Sequence, residues 1–482
     1  MPCTTILVGK DASIDGSTMI ARNDDGMFDT KKLIVVNPED QPKEYVSKIT
    51  GVKIPLPDNP LRYTATPNVT KKRGIWAANG INSANVGMTA TETTTSNPRV
   101  LGADPFGWDP KKKKQTGIGE EDYVVLVLPY IRSAREGVLR LGALLEEYGT
   151  YEPNGIAFND EKEVWWFESI GGHHWMARKV KDDEYVIMPN QFGLDRFDFE
   201  DAFGEGKENL CSKDLLEFIE KNHLNANQGP VINPRLVFGS RSDADHVYNT
   251  PRAWYMARYF NPRSYVWDGE NADFTPLSDD IPWSLVPERK ISVEDVKYIL
   301  SSYFQGTPYD PYGRGNDPRK GIYRSIGINR TSVMAILQIR PYVADEIKSV
   351  EWICFSSNAF NSTFPLYANV EKMPRAVSGT TEDMDVSRNL YWASRFLGVL
   401  ADASFDKSII HIERYQAKTM NKGRALLNEG DEAFQKTHDP KVLDETNEKV
   451  AKMAIESTKT VLRQVLQEAS LKMKNGYQRF DN

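Results

Sequence analysis

The sequence predicts an α+β fold, and three observations carry that prediction. Short β-branched or apolar runs separated by turn signals fill most of the first two hundred residues. One stretch between them, and the whole region after about Asp385, carries apolar residues at helical spacing instead. Strands grouped apart from helices argue for stacked α+β layers rather than a parallel doubly wound sheet.

The elements follow in order. Cys3 to Val8 is β-branched and apolar, Asp15-Gly16 is a hairpin-type turn signal, and Ser17 to Ala21 resumes an extended pattern. Leu33 to Val36, Ile75 to Ala78, Val86 to Ala90, Val164 to Phe167 and Tyr185 to Met188 read as further strands. Between Glu120 and Tyr148, residues Val127, Tyr130, Ile131, Ala134, Val138 and Leu139 recur at three and four, the spacing of one or two helices. A helical piece from Cys211 to Asn222 lies among Pro- and Gly-rich loops, and strands return at Met334 to Ile339 and Glu351 to Phe355. From Asp385 to Lys474 glycine is rare, and Val450, Met453, Ala454, Val461, Leu462 and Val465 form the stripe of a packed helix.

Composition bounds the function. The 482 residues are 40% hydrophobic and 26% charged, ordinary values for a globular chain. A net charge of −7 spread along the chain gives no nucleic-acid footprint, and the basic run Lys111 to Lys114 reads as a solvated loop. No run is apolar for long enough to span a bilayer, and the N-terminus lacks the pattern of a secretory signal, so no membrane partner is expected. Three cysteines are an odd number, which argues for a reducing, cytoplasmic location. Cys-x-x-Cys and His-Glu-x-x-His are both absent, so no zinc site is expected.

Cys3 admits two readings. It could simply open a buried strand as a small hydrophobe. If Met1-Pro2 is removed, its α-amine lies beside its own thiol and can serve as the general base. Such an amine titrates near ~7.7–8.0 against ~8.5 for a free thiol, so part of it is unprotonated at neutral pH and no histidine is needed. Arg22-Asn23-Asp24-Asp25 follows the first hairpin and returns beside Cys3. There an arginine favours the thiolate, and an aspartate can accept from the amine.

The segments Cys3-Thr-Thr-Ile-Leu-Val-Gly and Ala12 to Asp25 resemble the start of the bacterial dipeptidase A family of cysteine peptidases. The likeness continues through Gly80-Ile-Asn82, Thr89-Ala-Thr-Glu-Thr93, Gly119-Glu-Glu-Asp122, Tyr148-Gly-Thr-Tyr151, Glu168-Ser-Ile-Gly-Gly-His-His-Trp175, Met188-Pro-Asn190, Asn249-Thr-Pro-Arg-Ala-Trp254 and Ile326-Gly-Ile-Asn-Arg330. Penicillin V acylases and bile salt hydrolases are more distant relatives of that family. The resemblance implies an αββα sandwich of two antiparallel sheets flanked by helices, the N-terminal-nucleophile hydrolase fold. It implies a leader at residues 1–2, a hydrolase domain over 3–384, and a helical section over 385–482 packed on the same core or used in homo-oligomer assembly. Dipeptides are the implied substrates, and cysteine hydrolysis of this kind implies no metal or organic cofactor. Cys3 matches the nucleophile, and Arg22 and Asp25 match the groups that flank the thiol and orient the amine. Asn190 and Asn82 match positions on the oxyanion side, and Arg252 an arginine that supports the nucleophile.

Two further features bear on substrate. Glu120, Glu121 and Asp122 precede a helical stretch, either as helix decoration or with one carboxylate binding the free ammonium of a short peptide. His173 and His174 are substrate-side candidates, and one of them could pair with Cys3; on a strand, neighbours point to opposite faces, so at most one reaches a given site. Cys211 and Cys354 read as core. Pro2, if retained, leaves an amide nitrogen on Cys3 that cannot accept a proton. The alternatives are an acylase of the same superfamily cutting a non-peptide amide, and a non-catalytic relative with a binding role.

Overall fold

The computed structural model describes residues 3–26, 29–70, 72, 74–227 and 231–473. The expected leader, Met1-Pro2, lies outside the described residues.

β-branched Thr4, Thr5, Ile6 and Val8 favour an extended chain, and they form β1 (Cys3–Val8). Gly16 supplies the left-handed φ of +79° that the return requires, and β2 (Thr18–Asp24) follows. The two strands pair antiparallel with Cys3 opposite Asp24 and Thr5 opposite Arg22. They are central in a seven-stranded sheet of order Ser284–Leu285, Tyr185–Met188, β1, β2, Val333–Ile339, Ser349–Phe355, Phe364–Tyr367. A second sheet of six strands runs Asn209–Cys211, Trp175–Val180, Val164–Ser169, Asn154–Asn159, Gly87–Thr93, Asn79–Ile81. Every pairing in both sheets is antiparallel.

Period-two alternation decides what each face meets. Leu7 and Ile20, with Ala335 and Leu337, pack against Ala157, Val164 and Trp166 of the second sheet. Ile6, Val8, Met19 and Ala21 point the other way, onto Trp254 and Met256 of the helix Thr250–Phe260 and Val296 and Leu300 of the helix Val293–Leu300. The far face of the second sheet, with Phe158, Trp165 and Phe167, is covered by Val138, Leu141 and Leu145 of the helix Ala134–Tyr148. The chain is thus an α+β structure with antiparallel sheets, as the spacing predicts.

The C-terminal region is helical: Leu390–Ala403, Phe405–Thr437 and Lys441–Leu471. It closes the edge of the first sheet. Asn447 accepts from Tyr367 N at 2.8 Å and donates to Tyr367 O at 3.0 Å, which satisfies an edge strand that would otherwise offer open backbone groups. Among the described residues no helix is long and apolar enough to cross a membrane.

Three expectations shift. Residues 75–78 are not part of a strand, because Gly74 and Trp76 hold left-handed φ of 104° and 47° and break the pleat; the strand begins at Asn79. Cys211 ends a strand rather than opening a helix, which starts only at Leu215. The pair His173-His174 lies in the turn before Trp175–Val180, so the opposite-face argument does not apply to it.

Candidate active site

Cys3 and Thr5 on β1, and Arg22 and Asp24 opposite them on β2, share one face of the first sheet, the face turned to the second. Cys3 is fully buried. Arg22 Nη2 lies 2.8 Å from Cys3 Sγ and 2.8 Å from Glu120 Oε1, while Nη1 donates to Ala78 O at 3.2 Å. Asp24 Oδ2 stands 3.6 Å from Arg22 Nη1 and 3.1 Å from Lys31 Nζ, and Lys31 also donates to Trp76 O at 2.6 Å. Burial pushes the Cys3 thiol far up, and the Arg22 guanidinium draws it back down.

The Cys3 nitrogen has its own cradle. Cys3 N donates to Asn190 Oδ1 at 3.2 Å. Arg252, rising from the first turns of its helix, donates to Cys3 O, to Thr4 Oγ1 at 2.6 Å, to Asn190 Oδ1 at 2.8 Å and to Asn249 Oδ1 at 2.9 Å. Asn249 Nδ2 in turn donates to Asn190 O at 3.1 Å, and Asn190 Nδ2 to Thr93 O at 2.9 Å. One buried arginine thus fixes the first residue of β1 and the carboxamide that faces its nitrogen. A guanidinium offers five N–H groups in a rigid fork, which suits it to such clamping. Among the described residues no group of His, Cys, Asp or Glu is placed to hold a metal ion.

A buried cysteine at the head of a strand, an arginine on its sulfur and an amide clamp on its nitrogen form a constellation that can be compared with known proteins. The sequence model of peptidase family C69 matches residues 2–418. This chain belongs to peptidase family C69. It is 55% identical to a dipeptidase of Bifidobacterium longum over 444 residues, which is 90% of this chain and 83% of the relative. It is 48% identical to a probable dipeptidase A of Streptococcus pyogenes over 482 residues, 99% of each. It is 43% identical to dipeptidase A of Lactobacillus helveticus over 478 residues, 97% of this chain and 96% of the relative.

In this C69 peptidase the residues expected at the site separate into two groups. Cys3, Arg22, Asn190, Arg252 and Glu120 come together, as just described. Asp25, the next residue after β2, gives its carboxylate to Arg324 and, at 2.6 Å, to Thr331 Oγ1. Asn82 donates both carboxamide N–H groups to the Leu128 and Ile131 carbonyls, each at 2.8 Å, and accepts from Ala84 N and Val86 N. That spends the side chain on bracing a loop. Glu121 accepts from Ser47 Oγ, Lys48 N and Ile49 N at 3.2 Å and so holds a turn. Asp122 accepts from Tyr45 Oη at 2.8 Å and Gly119 N at 2.9 Å; burial, with Glu121 beside it, pushes its carboxyl up. His173 and His174 share Asp104, at 3.1 and 2.7 Å, and His174 stacks on Phe218 with ring centres 3.9 Å apart. Neither contacts Cys3 there.

The structure also brings in residues that the sequence did not single out. Glu92, in the Thr89 to Thr93 motif, is buried and reaches from the second sheet to Thr5 Oγ1 at 2.9 Å. Its Oε1 has no hydrogen-bond partner among the described residues. Burial raises its carboxyl towards the neutral form, against the fields of Arg252 and Arg22. Glu152 takes Glu120 N on Oε1 at 2.8 Å, and burial followed by the Glu120 charge raises its carboxyl as well. The motif contains Glu92 but gives it no role, and no motif contains Glu152, since each matters through a partner on another element.

Proposed function

We propose that this chain is a cysteine dipeptidase of the N-terminal-nucleophile type, folded as an αββα sandwich, that hydrolyses dipeptides with a free amino terminus. The observation that carries this reading is the 2.8 Å contact between Arg22 Nη2 and Cys3 Sγ, made where Cys3 N lies 3.2 Å from Asn190 Oδ1. The names of the relatives support the substrate class.

Removal of residues 1–2 turns the Cys3 amide nitrogen into an amine. That amine takes the thiol proton, and Arg22 stabilises the thiolate. The sulfur attacks the carbonyl carbon of the first substrate residue as the carbonyl electron pair moves onto oxygen. We assign the Asn190 carboxamide to that oxyanion. Asn82 is not assigned there, because both of its N–H groups serve the Leu128 and Ile131 carbonyls. Collapse expels the second residue, whose amine takes the proton from the Cys3 ammonium. Water, deprotonated by the same amine, then attacks the thioester and releases the first amino acid. A chain retaining Pro2 lacks the base.

Glu120 and Glu152 form the receptor for the substrate ammonium in this reading. Glu152 takes Glu120 N at 2.8 Å, so the two acidic residues are neighbours; burial, followed by the Glu120 charge, raises the Glu152 carboxyl, and a bound cation favours its ionised form. Glu120→Gln and Glu152→Gln should each raise KM for dipeptides roughly tenfold, the scale of one charge-assisted hydrogen bond. An unchanged KM in both removes the assignment.

Three free thiols fit a cytoplasmic location. Homo-oligomer assembly through the helical section belongs to the same proposal; Phe396, Val399 and Ile410 expose apolar surface there.

Intact-mass determination paired with dipeptide hydrolysis on the same sample tests the mechanism. A mass lacking Met1 and Pro2, with activity abolished in Cys3→Ala, is the expected result. A chain that keeps Pro2 yet turns over dipeptides rules out the free-amine base.

A further inference from the structure

Residues 326–330 share in the family likeness, yet they have no part in the reaction above. Arg330, at their end, is partly exposed and belongs to an unusual cluster. The guanidinium carbons of Arg252, Arg324 and Arg330 lie 5.3, 5.0 and 5.9 Å from the centre of one ring, that of Tyr248. Arg252 is held by Cys3 O, Thr4, Asn190 and Asn249, and Arg324 by Asp25 and Thr4. Arg330 donates to Tyr248 Oη, and its Nε is buried without a hydrogen-bond partner among the described residues. Among the described residues Asp25 is the one carboxylate paired with any of the three, and its partner is Arg324. Burial, followed by the neighbouring Arg324 charge, pulls Arg252 below the usual guanidinium range. Among the described residues Arg330 is therefore a guanidinium at this corner without a paired carboxylate.

The reaction brings one. In a dipeptide the terminal carboxylate lies one residue beyond the attacked carbonyl, within ~3.3–3.6 Å of extended chain. Its receptor has to sit at the rim of the nucleophile, and Arg330 shares a ring with the arginine that holds Cys3 O. We propose that Arg330, oriented by Tyr248, binds the C-terminal carboxylate of the substrate and so limits the enzyme to dipeptides. A guanidinium pairs with a carboxylate through two parallel N–H bonds. A longer peptide presents a neutral amide at that point and gains no such pairing. This inference rests on the dipeptidase reading.

The test compares kcat/KM for Ala-Leu, Ala-Leu amide and Ala-Leu-Ala in the processed parent, Arg330→Ala and Arg330→Lys. Measuring the substrates on one sample makes the active fraction cancel, so partial misfolding leaves the ratios intact. The parent should prefer Ala-Leu over its amide by roughly tenfold to a hundredfold. In Arg330→Ala that preference should fall to within about threefold of unity, chiefly through KM, with Arg330→Lys between the two. A preference unchanged in Arg330→Ala overturns the assignment, as does a parent that hydrolyses Ala-Leu without preferring it. A parent that cleaves none of the three refutes the dipeptidase reading itself, and the inference with it.

Discussion

Arg22 spends its guanidinium on Cys3 Sγ, Glu120 Oε1 and Ala78 O, with Asp24 3.6 Å away. A buried cation between two carboxylates is tolerated only because its donors are placed. Lysine keeps the charge but loses the fork, so Arg22→Lys should lower kcat by about 10²-fold, the scale of one lost preorganised donor. Arg22→Ala removes a buried guanidinium together with its Glu120 ion pair and should lower the urea midpoint, with Asp24 still held by Lys31. Parental kcat in Arg22→Lys contradicts the placement of this residue on the sulfur.

At the scale of elements, the helix Ala134–Tyr148 shows how seating outweighs propensity. Ser133 caps it by accepting from Glu136 N at 3.1 Å. Two interior glycines then let it ride close on the second sheet. A Cβ on Gly137 would meet Phe158 at 2.5 Å, and one on Gly142 would meet Trp175 at 2.3 Å. The Trp175 ring cannot step aside, because Nε1 donates to Glu146 at 2.9 Å and the ring stacks on Phe167 at 5.2 Å. Gly142→Ala gains about 1 kcal/mol of helix propensity and loses about 1–3 kcal/mol to overpacking. A lower urea midpoint is the expected outcome, and a higher one means that the sheet yields.

Across the whole molecule, buried carboxyls set the response to pH. Burial pushes Glu168 and Glu351 each up to about 7. Glu351 accepts from Asn79 Nδ2 at 2.5 Å and Thr64 Oγ1 at 3.1 Å, so it ties the first sheet to the second. A carboxyl raised in the folded state costs nothing while both states keep the proton. As pH climbs from about 4.5 to about 7 the unfolded chain ionises and the folded one resists, so stability falls across that window and levels off above it. The full loss for one such site is about 3 kcal/mol. Glu351→Gln keeps the shape and removes the titration. Urea unfolding at pH 5 and pH 8 should show the variant gaining on the parent at the higher pH, and an equal difference at both contradicts the assignment.

Much of the fold and part of the site can be read without coordinates. β-branched residues in Cys3–Val8, the Asp15-Gly16 turn and the long stripe through Val450 and Val461 are local signals, and each became the element expected. The hairpin also determines that Arg22 returns beside Cys3, because antiparallel register places Arg22 opposite Thr5 on the same face. Contacts between elements are another matter. That Glu120 rather than Glu121 or Asp122 faces Arg22, that Asp25 pairs with Arg324, that Glu92 meets Thr5, that Glu152 takes Glu120 N and that Arg330 meets Tyr248 depend on how two sheets and their loops stack. Sequence by itself determined the elements and the first hairpin, because periodicity and turn chemistry act between near neighbours. Only the tertiary structure decided which charges meet, because burial and charge pairing act through space between residues that the chain keeps far apart.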